Sequence, residues 1–282
     1  MIKRNNPKRT LCLGDIHGAL KALQQVLQRV SYDIYEDQLI FLGDYVDGWS
    51  ESAQVVEFLL ELEQLSVHKP IFLRGNHDVW CQEWLNTGVQ KDLWVMQGGQ
   101  ATIESYIATG HLVKQEHKDF FNKLHNFYID DQNRGFVHGG FRSKNGLGHE
   151  AYNSDYYWDR TLWELVLALH NNYKAISRLK ELDQEDDFDE FFRPNPYRFE
   201  KHKEIYIGHT ATTNWINKPH LPEFKHQKDS GPIKVPMHRC NVWNMDTGAG
   251  FNGRLTIMDI DTKELFQSDS VKALYPKEHG RG

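Results

Sequence analysis

The chain predicts an α/β protein with parallel pairing at the centre of its sheet. Three observations lead there. Short apolar runs alternate with stretches of helical periodicity. Each run breaks off at a glycine-flanked polar group. Those polar groups repeat Asp, His and Asn.

The first run is Thr10–Leu13, which stops at Gly14-Asp15. Leu20, Leu23, Val26, Leu27 and Val30 follow at the spacing of one helix face. Leu39–Leu42 stops at Gly43-Asp44, and Val55, Val56, Leu59, Leu60 and Leu62 mark a second helix. Pro70–Leu73 stops at Arg74-Gly75-Asn76-His77, before a helix expected over about Val79–Leu85. The first third therefore reads β-α-β-α-β-α, the pattern of a parallel sheet. In such sheets ligands bind just beyond the carboxyl ends of the strands, where these polar groups fall.

Helices are expected at Ala101–Ile107 and His117–Leu124. Phe127–Ile129 and Gly135–Val137 read as a strand pair around a turn at Asp130–Asn133, ending at His138-Gly139-Gly140. The middle, Phe141–Lys203, differs in composition. It carries Tyr156, Tyr157, Trp158, Trp163 and an acidic run from Glu181 to Glu190, with helices expected near Thr161–Asn171 and Ile176–Leu182. We read residues 141–203 as a helical insertion over the site within a single domain spanning 1–282, and the acidic run as a solvated face. Glu204–Ile207 is a strand ending at Gly208-His209-Thr210. A loop rich in Pro, Lys and His runs to about Arg239. Val242–Met245 and Leu255–Ile260 then read as strands around the glycine-rich turn Thr247–Gly253, suited to an antiparallel part of the sheet.

Composition narrows the class. With 282 residues, 39% hydrophobic and 26% charged, the chain is of the soluble globular type and long enough to bury a large core. A net charge of −6 disfavours a nucleic-acid partner, which needs a basic face. No apolar stretch approaches the roughly 18 residues a membrane span requires. The three cysteines, Cys12, Cys81 and Cys240, form no CxxC pair and read as free thiols of a cytoplasmic protein.

The polar groups have the chemistry of a metal centre. Asp15 and His17 are two apart and at a strand end point to one side, so they can close on one cation. Asp44 and Asp47 add two carboxylates: one can bridge two ions, and the other is placed as a supporting partner. Asn76 offers a neutral oxygen beside the imidazole of His77, and adjacent strand residues point apart, which suggests different duties. His138 and His209 are single imidazoles, each after a strand and before a small residue. Two ions roughly 3.5–4 Å apart need this mixture of bridging carboxylate, imidazole and oxygen donors. A lone His or Asp at a strand end is more often a cap or turn residue; five such segments in order are not explained that way. Mixed N and O donors without thiolate suit Mn, Fe or Zn, with Mn the first choice in vitro, and disfavour Ca.

The series GDIHG, GDYVDG, RGNHD, VHGG and GHT resembles the metallophosphoesterase superfamily, and GDxVD with RGNH and HGG resembles its PPP branch of phosphoprotein phosphatases in a bacterial or phage-like form. The late DTGAGFNGRLTIMDID is similar to that branch, so the resemblance runs from Thr10 to about Asp261. It implies a calcineurin-like four-layer αββα sandwich of two mixed sheets. It implies two divalent ions, one on Asp15, His17 and Asp44, the other on Asp44, Asn76, His138 and His209. It implies direct in-line attack of a metal-bridging hydroxide on phosphorus, with His77 as general acid oriented by Asp47 and with a raised imidazole pKa. The expected substrates are phosphoserine and phosphothreonine in proteins, or a small phosphoester.

One departure stands out. The PPP branch usually reads GDxVDRG, and that arginine holds the substrate phosphate; here the position is Gly48, followed by Trp49. Arg160, in Trp158-Asp159-Arg160, and Arg142 are the candidate replacements, each with a surface salt bridge as the plainer role. Arg74 reads as a loop buttress. Trp49, Trp158 and Trp163 are either a substrate platform or core. Two other functions fit the same residues: a symmetric dinucleoside tetraphosphate hydrolase, which shares GDIHG and GNHD, and a metal-binding interaction protein without turnover, supported by Gly48 alone.

Overall fold

The computed structural model describes residues 6–171, 198–215 and 232–281. Two mixed five-stranded sheets are sandwiched between helices. The strands are β1 (Arg9–Leu13), β2 (Asp37–Phe41), β3 (Ile71–Phe72), β4 (Phe127–Ile129), β5 (Arg134–Val137), β6 (Glu204–Ile207), β7 (Met237–Arg239), β8 (Val242–Asn244), β9 (Thr256–Asp259) and β10 (Leu265–Gln267). One sheet has the order β10-β9-β1-β2-β3 and the other β4-β5-β6-β8-β7.

The α-helices are α1 (Leu20–Arg29), α2 (Ser52–Leu65), α3 (Asn76–Thr87), α4 (Asp92–Trp94), α5 (Gln100–Thr109), α6 (Gln115–Lys123), α7 (Asp155–Trp158), α8 (Thr161–Asn171) and α9 (Val271–Leu274). Each sequence-expected helix within the described residues is present. The one expected near Ile176–Leu182, and the acidic run, lie outside them. Among the described residues no helix is long and apolar enough to cross a membrane.

The apolar runs are uninterrupted because both faces of each central strand are covered. Leu11, Leu13, Leu39 and Phe41 face α1, α2, α3, α5 and α6, whereas Cys12, Ile40 and Leu42 face the second sheet. Phe136 and Tyr206 of β5 and β6 answer them across the sandwich, with rings stacked at 5.0 Å. Val137, Ile205 and Ile207, one residue out of phase, pack on Leu162, Trp163 and Val166 of α8. The period of two along every strand thus builds four layers. Cys12 and Cys81 are buried free thiols, and Cys240 is an exposed one.

Six strands, β1, β2 and β3 in one sheet and β5, β6 and β8 in the other, pair in parallel within their sheets. One of the late strands departs from expectation. They flank the glycine-rich turn but lie in different sheets: β9 is antiparallel to β1, as expected, while β8 pairs parallel to β6. The glycine-rich segment between them carries the chain from one sheet to the other. A local apolar pattern is blind to that choice, because it reports burial rather than partner.

Candidate metal centre

Every expected site segment follows the carboxyl end of one of these parallel strands, and the folded chain brings Asp15, His17, Asp44, Asn76, His138 and His209 together. Asp15, His17 and Asp44 place one ligand atom each within 4.8 Å of one another, and so do Asp44, His138 and His209. Asp44 belongs to both groups. Its Oδ2 lies 3.6 Å from His17 Nε2 and 3.4 Å from His138 Nε2. Asn76 Oδ1 lies 3.2 Å from His138 Nε2. All six side chains are buried.

The local route to this geometry is tighter than strand alternation. His17, Asp44, Asp47 and His209 all have φ between 54° and 75°, a left-handed backbone that costs a non-glycine residue about 1–2 kcal/mol. Neighbouring acceptors hold these turns. His17 N donates to Asp44 O at 2.9 Å, Asp44 N to Asp78 Oδ2 at 2.8 Å, and His209 N to Asp15 Oδ2 at 3.0 Å. Asn76 and His77 are not strand residues but the first two of α3. Their divergence therefore comes from the helical turn. The start of α3 also serves Asp44, whose Oδ1 accepts the His77 N–H at 3.0 Å. Gly75 is required there, since a Cβ would collide with the Asp44 carboxylate.

The imidazoles are oriented for coordination. His17 Nδ1 bonds Val46 O at 3.1 Å and His138 Nδ1 bonds Leu42 O at 2.8 Å, which turns each Nε2 inward. His209 Nε2 is buried and has no hydrogen-bond partner among the described residues, which fits a nitrogen that ligates a cation. Burial, together with Arg281, keeps His17 well below the usual imidazole range; burial, then His138 and Arg160, does the same for His209. Both are thus neutral, the ligating form. Burial also raises the Asp15 carboxyl well above the usual range, helped by Asp246 and Asp44. Burial works to raise Asp44 too, but His138, His77 and His17 outweigh it and hold this carboxyl well below normal. Burial works to lower His138, but Asp44 outweighs it and shifts this imidazole upward; this cluster of buried carboxyl groups and imidazoles fits divalent cations in its donor chemistry.

His77 stands apart with Asp47. Its Nδ1 lies 2.7 Å from Asp47 Oδ2, and Asp47 also accepts Trp94 Nε1–H at 2.7 Å and Thr102 Oγ1–H at 2.6 Å. A carboxylate neighbour alone leads one to expect a raised imidazole. The structure reverses that, because burial dominates both partners. It pushes Asp47 up to about 7 and His77 down to about 3. The pair still shares one proton, carried on either partner.

The two arginines expected to hold phosphate separate. Arg142 Nε is paired with Asp159 Oδ1 at 3.1 Å, and its side chain is largely exposed. Buried Asp159 in turn caps α8 through Thr161 Oγ1 and Leu162 N, so Arg142 has a carboxylate partner where Arg160 has none among the described residues. Arg160 forms no ion pair among the described residues and lies within the electrostatic reach of Asp44, Asp15, His77 and His209. Arg74 is a buttress, its Nη2 donating to Phe121 O and Leu124 O. Trp49 and Trp163 are core, while Trp158 is 38% exposed and sits edge-on to His209 at 6.2 Å.

Sequence reading missed three site residues. Asp246 follows β8, the sixth parallel strand, and its buried carboxyl is pushed up to about 6. The Met245-Asp246-Thr247-Gly248 break after an apolar run was the available signal. Asp78, inside RGNHD, accepts the backbone N–H groups of Asp44, Tyr45 and Gly75 at 2.8–2.9 Å. Arg281 had no local signal; its Nη1 lies 3.2 Å from His17 Nε2.

A four-layer αββα sandwich with Asp, His and Asn donors converging at its strand ends defines a phosphoester-hydrolase class of site. The match of the calcineurin-like phosphoesterase family model to residues 8–229 places the chain in that family. The chain is 25% identical over 281 residues to the bis(5'-nucleosyl)-tetraphosphatase PrpE (asymmetrical) of Bacillus cereus, covering 94% of this chain and 96% of the relative. It is 26% identical over the same span to its counterpart in Bacillus thuringiensis. Among solved structures, a protein serine/threonine phosphatase from Saccharomyces cerevisiae shares the fold with a TM-score of 0.59 at 12% identity, over 95% of this chain and 82% of that one. A metallophosphoesterase from Sphaerobacter thermophilus matches with a TM-score of 0.51 at 18% identity, over 95% and 90% of the chains.

Proposed function

We propose that the chain hydrolyses phosphomonoesters with two divalent ions, serine and threonine phosphates of proteins first among them. Asp15, His17 and Asp44 would hold one ion; Asp44, Asn76, His138 and His209 would hold the other. When bound, such a pair supplies a hydroxide nucleophile at neutral pH and neutralises phosphoryl charge. His77 would give its proton to the leaving oxygen, Asp47 would keep the imidazole aimed, and Arg160 would steady a phosphate oxygen.

The Asp47–His77 pair carries this reading. An alkoxide such as that of serine departs poorly without a proton, so a held acid is useful. A departing nucleotide leaves as a phosphate anion, whose second pKa is about 6, and needs no such donor. The test is a panel under Mn²⁺ containing a phosphoserine peptide, an aryl phosphate, a phosphodiester and diadenosine tetraphosphate. Release of inorganic phosphate from the peptide supports the reading; turnover of diadenosine tetraphosphate alone sinks it.

Trp158 favours a second reading, hydrolysis of dinucleoside tetraphosphates. Its exposed ring lies 5.0 Å from Trp80 and beside His209, where a base could stack. The named Bacillus relatives support this substrate class, with asymmetrical in place of the symmetric cleavage first considered. Diadenosine tetraphosphate would then yield ATP and AMP; two ADP would mark the symmetric reaction.

A further inference from the structure

We infer that Arg281 is the phosphate-holding arginine of this site, supplied from a distant part of the chain into the space opened at Gly48. The inference rests on the hydrolytic reading above and adds a substrate-binding residue to it.

The space argument comes first. Gly48 has φ +102°, a backbone that an arginine in its place rarely adopts, and a Cβ there would meet Arg281 Cγ at 2.8 Å. A Cβ on Gly98 would meet the same atom at 3.2 Å, and one on Gly250 would meet Arg281 Cδ at 3.0 Å and His17 Cδ2 at 2.5 Å. Three residues without side chains thus form the sleeve through which one long side chain reaches the centre.

The sleeve also fixes direction. Arg281 N donates to Gly250 O at 2.9 Å, its Nε to Gln97 O at 3.3 Å, and its guanidinium lies 5.1 Å from the Phe251 ring centroid. Nη1 ends 3.2 Å from His17 Nε2, the atom that faces the metal centre. No carboxylate among the described residues forms an ion pair with Arg281. Its charge instead acts on Asp15, Asp47, Asp246 and Arg160. Arg160 and Arg281 are therefore two guanidinium groups near one centre with no salt-bridge partner among the described residues. Two planar cations flanking a metal centre suit the non-bridging oxygens of a phosphoryl group.

The test uses the full chain with Arg281→Ala and Arg281→Lys. Titration calorimetry first measures Mn²⁺ binding, then binding of inorganic phosphate to the Mn²⁺-loaded protein. Steady-state kinetics on an aryl phosphate follow. The inference expects unchanged Mn²⁺ stoichiometry and phosphate binding weakened about 10- to 100-fold in Arg281→Ala, the scale of one charged hydrogen bond. It expects kcat/KM to fall by a similar factor and Arg281→Lys to recover part of both. Added guanidinium ion should partly rescue Arg281→Ala. Phosphate binding equal to wild type would overturn it. So would tighter Mn²⁺ binding with higher activity in Arg281→Ala, which would make Arg281 a competitor for the metal at His17. If wild type hydrolyses no ester, the hydrolytic reading falls, and phosphate binding alone still decides the role of Arg281.

Discussion

Asp47→Asn separates proton delivery from every other contribution of the centre. The side chain keeps its shape and loses its charge. In the native chain, fully buried Asp47 accepts hydrogen bonds from Trp94 and Thr102 and shares a third with His77, all at 2.6–2.7 Å. An asparagine has one acceptor oxygen, so its amide N–H₂ must face at least one of those donors. A hydrogen bond to a charged partner contributes about 1.5–3 kcal/mol, and 1.36 kcal/mol is about tenfold in rate. The expected loss in kcat is therefore about 10- to 150-fold on a substrate whose leaving group needs a proton. The assay compares phosphoserine peptide with 4-nitrophenyl phosphate, whose leaving group departs readily as an anion. The account expects the full loss on the peptide and a much smaller one on the aryl ester, with Mn²⁺ binding intact. Equal losses on both substrates would refute proton delivery and leave the pair a structural role.

His209→Ala removes a buried nitrogen that has no partner among the described residues, so Mn²⁺ affinity at one of two sites should fall by about 10–100-fold or more; isothermal titration reads it. Asp78→Ala strands three buried backbone N–H groups, each worth about 1–3 kcal/mol, so thermal unfolding should show a loss of about 3 kcal/mol or more. The carboxyl of Glu57 is held down to about 2 by His117 and then Lys114, from an ordinary 4.5. Its contribution is thus present above about 4.5 and lost as pH falls toward 2. The carboxylate is about a third exposed, so Glu57→Gln should cost under about 1 kcal/mol at pH 7, and the difference from wild type should shrink through pH 2 and vanish only below it in acid denaturation. Trp158→Ala should raise KM for diadenosine tetraphosphate by about 5- to 150-fold if a base stacks there, with little change for the aryl phosphate.

The central strands were legible because both of their faces are buried: Leu11 and Cys12 point to opposite cores yet leave the same apolar mark. That same property hid the destination of β8 and β9, since burial does not name a partner. The six candidate donors stood out in the sequence because each follows a strand abruptly and in a familiar order. The backbone that aims them was not. The left-handed turns at His17, Asp44 and His209 are held by Asp44, Asp78 and Asp15, contacts made across the fold. Proximity reasoning also misjudged His77, where burial outweighs the neighbouring charge. The pairing of Arg142 with Asp159, a residue 17 positions on, left no mark in the sequence. Arg281 lies outside every motif, and only the cleared space at Gly48 links them.

The central claim is that two cations share Asp44. Mn²⁺ titration followed by electron paramagnetic resonance reads both stoichiometry and magnetic coupling on wild type and Asp44→Ala. The account predicts two Mn²⁺ per wild-type chain with a spin-coupled signal, and loss of coupling together with weakened binding in Asp44→Ala. One uncoupled Mn²⁺ in the wild type, or two coupled ions in Asp44→Ala, would contradict it.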